Sequence, residues 1–141
     1  VRSGPGYRPA DPNFLENERD GAYGYNAGRV PWRVGLDALL YGDPDSRAIV
    51  RPISVWVEDV ATGNPALVRA GYQLDGTPLP GSGYFTTFFV APMGVAAMSN
   101  PAQQAWLNAV YESVHDRHED YYEDSVTLLC LLVMSGNFWV P

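Results

Sequence analysis

Residues 25–33 of this 141-residue chain read Tyr25, Asn26, Ala27, Gly28, Arg29, Val30, Pro31, Trp32 and Arg33, with little ordinary filler among the aromatic, amide and guanidinium groups. Tyr23 and Tyr25 offer flat apolar faces with hydroxyl tips, Asn26 can both donate and accept, and Arg29 can clamp a partner in a fixed two-pronged geometry. Such a set suits the grip of a sugar. Trp32 adds a further candidate platform, although tryptophan at helical spacing is more often core, as for Trp56, Trp106 and Trp139. A nearby run of carboxylates, Asp11, Glu16, Glu18 and Asp20, could supply proton transfer. His115 and His118 have a spacing that could share a metal, but no further Cys or His supports such a site, and the stretch 115–120 reads as a solvated charged loop. No Gly-rich phosphate loop, nucleophile elbow or Ser-His-Asp arrangement is present.

The elements that must position these groups read as helices. Pro31 sits where a helix likes to begin, and an element over about 31–40 stops at Gly42. A second helix over about 45–60 carries Ile49, Ile53, Trp56, Val57 and Val60 as an amphipathic face, with Pro52 bending or restarting it. Residues 63–83 are rich in Pro and Gly, and Tyr72 and Leu74 flank Gln73, which predicts a short hairpin or irregular loop. A third helix covers about 88–98. A fourth opens at Asn100-Pro101 and buries Trp106, Leu107, Val110, Tyr111 and Val114. The last, over about 123–134, is apolar almost all round and has to be enclosed on most sides. Glu123 and Asp124 suit its first turn, where negative charge meets unpaired N–H groups. Residues 1–24 lack a helical period and read as a long loop with at most one helical turn near 13–17.

Charge and cysteine usage narrow the classes. Sixteen acidic residues against nine basic ones, all nine Arg, give a formal charge of −7. Nucleic acid is excluded as a partner on that balance, because binding phosphates requires a basic patch. Cys130 is the one cysteine and lies in an apolar run, so it reads as a buried free thiol with no internal disulfide available. That run is too short to cross a bilayer, which takes about 20 residues.

The stretch from Tyr25 through Trp32 to Leu39-Leu40-Tyr41-Gly42-Asp43 closely resembles the segment around the catalytic base in family 8 of the glycoside hydrolases, the inverting endo-glucanases and chitosanases. Later segments resemble the family in the same order: Gly71-Tyr72-Gln73-Leu74-Asp75-Gly76, then residues 89–98, then Tyr121-Tyr122-Glu123-Asp124-Ser125, then Met134-Ser135-Gly136-Asn137-Phe138-Trp139. The resemblance implies an all-α fold, with about five helices of a larger (α/α)6 barrel. It also implies that residues 1–141 are the C-terminal portion of one catalytic domain whose N-terminal half is the chain's missing partner. Val1 in place of an initiator Met, and the loop-like opening over residues 2–6, agree with a truncated start. No cofactor or metal is called for. Family membership implies a secreted protein, with a polysaccharide as the substrate.

Inverting hydrolysis uses one carboxylic acid to protonate the leaving oxygen and one carboxylate to deprotonate water, about 6.5–9.5 Å apart. Many members carry the base as the aspartate of a Tyr-x-Ala-x-Arg motif. Here that position is Asn26, and an amide has no useful basicity near neutral pH. The chain therefore resembles the branch that takes its base from a neighbouring loop. Glu16 is the expected base, its Phe14-Leu15 pair anchoring the loop, with Glu18 as second choice; Asn26 then orients the water or a sugar hydroxyl. Arg29 either fixes the base or a sugar, or pairs with Asp37 or Asp43 as a helix staple. Tyr122 is expected as a stacking platform. Gly28 departs from the family, which commonly has cysteine there. No segment like the family's acid-bearing Ser-Glu-Gly-Gln-Ser occurs, so the chain alone is expected to be inactive. The leading function is endo-hydrolysis of β-1,4-linked glucan or chitosan. A catalytically dead sugar-binding homologue, or an unrelated helical interaction module, is the alternative.

Overall fold

A computed structural model describes residues 2–3 and 6–139, with side chains from Arg8 onward. Residues 1, 4, 5, 140 and 141, including part of the expected loop-like opening, lie outside the described residues. The fold is all-α with five α-helices, as expected for part of a helical barrel, preceded by a two-residue antiparallel ribbon of β1 (Arg2–Ser3) and β2 (Gly6–Tyr7). The helices are α1 (Val30–Tyr41), α2 (Pro44–Val60), α3 (Thr87–Ala97), α4 (Gln104–Val114) and α5 (Tyr121–Met134).

Helix boundaries follow local chemistry. Pro31 lies in the first turn of α1, and Gly42 ends the helix in the left-handed region with φ 66°. Asp43 caps α2 by accepting from Ser46 N at 2.7 Å. Asn100 caps a 3-10 turn, Pro101–Gln103, that leads into α4. Between α2 and α3 the chain makes a 3-10 turn at Pro65–Leu67 and a loop in which Tyr72 exchanges backbone hydrogen bonds with Tyr23.

The core is built around α3, in which every residue is buried and which packs against the other four helices. The apolar pattern of α5 calls for enclosure on most sides, which this chain by itself was not expected to supply and does not supply. In α5 only Val126, Thr127, Cys130 and Val133 are buried, while Leu128 and Leu129 are 59% and 37% exposed. The enclosure of α3 follows from residue size, since small residues along it let its neighbours approach from all sides. A Cβ on Gly94 would meet Met134 Sδ at 2.2 Å and Val110 Cγ1 at 2.9 Å.

The buried face of α2 is also shifted from expectation. Val50, Ser54 and Val57 are buried and Ile53 and Trp56 partly so, whereas Ile49 and Val60 are exposed. On α4, Trp106, Val110 and Val114 are buried, with Leu107 and Tyr111 half-buried at the margin. Cys130 is a buried free thiol, and burial pushes its pKa up. No helix among the described residues is long and apolar enough to cross a membrane.

Candidate functional site

Residues 11–28 form a chain of turns laid against the start of α3. Asn13 N donates to Asn17 O and takes the left-handed conformation at φ 61°, so the stretch 13–17 is a tight turn and no helix. The apolar pair expected to anchor this loop does not do so, since Phe14 and Leu15 are 59% and 74% exposed. Hydrogen bonds hold the tip instead. One oxygen of Asp20, Oδ2, accepts from Leu15 N at 2.6 Å, Glu16 N at 2.8 Å and Asn17 N at 3.3 Å. These donors, Leu15 N and Glu16 N foremost, hold the Asp20 carboxyl below the usual carboxylate range, and the nearby Asn26 amide contributes too. Arg19 ties the loop to the neighbouring one through Pro80 O at 3.0 Å.

This scaffold brings Glu16 to Asn26. The Asn26 Nδ2 group donates to Glu16 Oε2 at 3.1 Å, across ten residues of chain. Both line a cleft of about 230 Å³ with Asn17, Asp20, Tyr25 and, from the opposite loop, Ser82 and Tyr84. Glu18 does not line it; it lines a groove beside Pro9 and Leu74 and a shallow one on the loop tip that it shares with Glu16 and Asn17.

The aromatic wall is nonlocal. Tyr25 stacks on Phe88 at 4.8 Å between centroids, and Tyr122 stacks on the same ring at 5.2 Å. Two expected platforms thus share one buried support on the first turn of α3. Each keeps more than a third of its surface exposed. The Tyr25 hydroxyl lies 3.5 Å from that of Tyr84. Burial, then the bond to Tyr84, push the Tyr25 phenol well above its ordinary value, so it stays protonated. Gly28 now has a physical account: a Cβ there would sit 2.3 Å from Phe88 Cε1. Only a bare Cα lets the Phe88 ring lie under this turn.

No protein-family model matches the chain. Over 99% of its length it is 43% identical to a beta-glucanase of Niallia circulans, and over 95% it is 35% identical to an endoglucanase of a Bacillus species, strain KSM-330. It superposes over its full length on a beta-1,3-1,4-glucanase from Paenibacillus sp. X4, with a TM-score of 0.94 and 40% identity. The chain resembles one part of a bacterial glucanase. It spans 34% and 29% of the two curated relatives and 37% of the glucanase chain of known structure.

Beside these glucanases the remaining expected residues divide. Arg29 precedes α1 half-buried, and among the described residues its guanidinium pairs with no carboxylate, neither Glu16 nor the alternatives Asp37 and Asp43. Asp37 is engaged by Ser46 Oγ at 2.5 Å, and Asp43 caps α2. Trp32 is a correction: it is 8% exposed within the core, with the Arg33 guanidinium 5.2 Å from its ring centroid, which leaves no open face for a sugar. Among the described residues no group of three His, Cys, Asp or Glu side chains is placed to hold a metal.

Sequence reasoning counted Asp20 only as one of four loop carboxylates open to proton transfer and gave no role to Ser82 or Tyr84. For Asp20 a signal existed, an acid a few residues beyond a turn rich in Asn. Ser82 and Tyr84 carry none, because they arrive from a loop some sixty residues away. Glu119, read as part of a solvated loop, instead accepts from Thr86 Oγ1 at 2.7 Å and Thr87 N at 2.8 Å at the start of α3.

Proposed function

We propose that this chain is the base-bearing C-terminal portion of a single catalytic domain of a family 8 glycoside hydrolase, in the branch with asparagine at the usual base position. Glu16 is the general base. Its carboxylate accepts a proton from a water that attacks the anomeric carbon from the face opposite the leaving oxygen, so configuration inverts. Asn26 donates to Oε2 at 3.1 Å and thereby leaves the other carboxylate oxygen to the water. Tyr25 and Tyr122 offer ring faces to the sugar, and Arg29 offers donors to a sugar hydroxyl. The acid that protonates the leaving oxygen comes from outside these residues.

The single observation carrying this reading is the Glu16–Asn26 bond inside the cleft. It supplies a carboxylate where the amide cannot act. The named activities of the similar proteins, a beta-glucanase, an endoglucanase and a beta-1,3-1,4-glucanase, support endo-cleavage of a β-glucan, and the β-1,4 linkage is taken from the family resemblance. Chitosan is the second polymer to test, and secretion follows from a substrate of that size. The decisive experiment is Glu16→Gln in the full-length protein, assayed on barley glucan, carboxymethyl cellulose and chitosan. Loss of turnover with retained polymer binding is expected. Undiminished turnover overturns the base assignment, and an inactive parent protein that still binds glucan favours the sugar-binding homologue. The 141-residue chain alone is expected to hydrolyse none of the three.

A further inference from the structure

We propose that Asp20 is the positioning residue that holds Glu16 in the cleft. The proposal rests on Glu16 being the base. Three backbone N–H groups, from Leu15, Glu16 and Asn17, converge on the single oxygen Oδ2 at 2.6, 2.8 and 3.3 Å. Apolar packing does not compete for this task, since the side chains of Phe14 and Leu15 face solvent. Bonds from Asn13 N and Asp20 N to Asn17 O also close this turn, but the N–H of Glu16 itself and those on either side of it are held by this one carboxylate.

Asp20 also lies near the other member of the pair, whose amide helps to lower its pKa. Its second oxygen, Oδ1, is buried without a hydrogen-bond partner among the described residues, and Asp20 lines the same cleft as Asn26. Asn26 spends one amide hydrogen on Glu16 Oε2. The second hydrogen and the bare Oδ1 are complementary, so the ionised Asp20 orders both the loop that carries the base and the amide that orients it. A base displaced by about 1 Å loses on the order of a hundredfold in rate.

The test uses the full-length protein on soluble β-glucan. Asp20→Ala is expected to lower kcat about 10- to 100-fold with KM within about twofold, and Asp20→Asn, which keeps an acceptor oxygen, to recover most of the loss. Hydrogen exchange at the amides of residues 15–17 should speed up in Asp20→Ala and return toward the parent rate in Asp20→Asn. Parent-like exchange and kcat in Asp20→Ala, beside an inactive Glu16→Gln, overturn the role of Asp20 alone. Full turnover by Glu16→Gln overturns the base assignment beneath it.

Discussion

Asn26 faces Glu16 at 3.1 Å, so replacing it with aspartate would set two carboxylates within contact of each other. Like charges that close cannot both ionise freely, and the first proton is then held more tightly. Asn26→Asp in the full-length protein should therefore move the acidic limb of its kcat/KM profile upward by about one pH unit or more. An unmoved limb would separate Glu16 from the chemistry. The same scale explains Gly28. Its added methyl would strike the edge of Phe88, a ring already stacked on Tyr25 and Tyr122. Gly28→Ala is expected to cost about 1–3 kcal/mol, read from urea denaturation. Residue types in the stretch 25–29 pointed to a sugar grip, and the likeness to a known family pointed to Glu16. Neither could show that Tyr25 and Tyr122 rest on one phenylalanine, because that contact joins three distant stretches of chain.

Among the elements, those with local stop and start signals were legible, as at Gly42 and Asn100. The phase of α2 was legible only in part: Val57 is buried as expected, but packing against α1 and α3 takes in Val50 and leaves Ile49 and Val60 exposed. Nor could pattern alone reveal which helix the others surround, since α3 and α5 are both rich in apolar residues. The start of α3 depends on a distant acid. Glu119 satisfies Thr87 N and Thr86 Oγ1, and Thr86 Oγ1 in turn accepts from Phe88 N. Glu119→Ala should cost about 1–2 kcal/mol in urea denaturation, through loss of a cap on the helix that carries the aromatic wall. The loop before α1 has its own pH dependence. Asp20 is held below its unfolded value of about 3.9, so its contribution to loop order is fully present above that value and is lost as pH falls through the lower folded value. Amide exchange or proteolysis within residues 13–20 should stay slow at pH 5 and accelerate only in more acidic solution.

For the molecule as a whole, the decisive feature is the incomplete enclosure of α5. A helix apolar on most sides has a native environment that covers most sides, yet Leu128 is 59% exposed in this chain, which spans about a third of the glucanases it resembles. The remaining two thirds of the proposed domain are expected to lie over that face. One substitution read in two settings tests this. In the 141-residue chain, Leu128→Glu exchanges one solvated side chain for another, and surface changes of that kind stay within about 0.5 kcal/mol. In the full-length protein the same carboxylate would be driven into an apolar interface without a partner, at a cost of several kcal/mol, because a buried charge must be neutralised or paired. Denaturation midpoints of the two pairs decide the matter: a large loss confined to the full-length protein supports the covered face, and equal small changes in both show that α5 stays open to water.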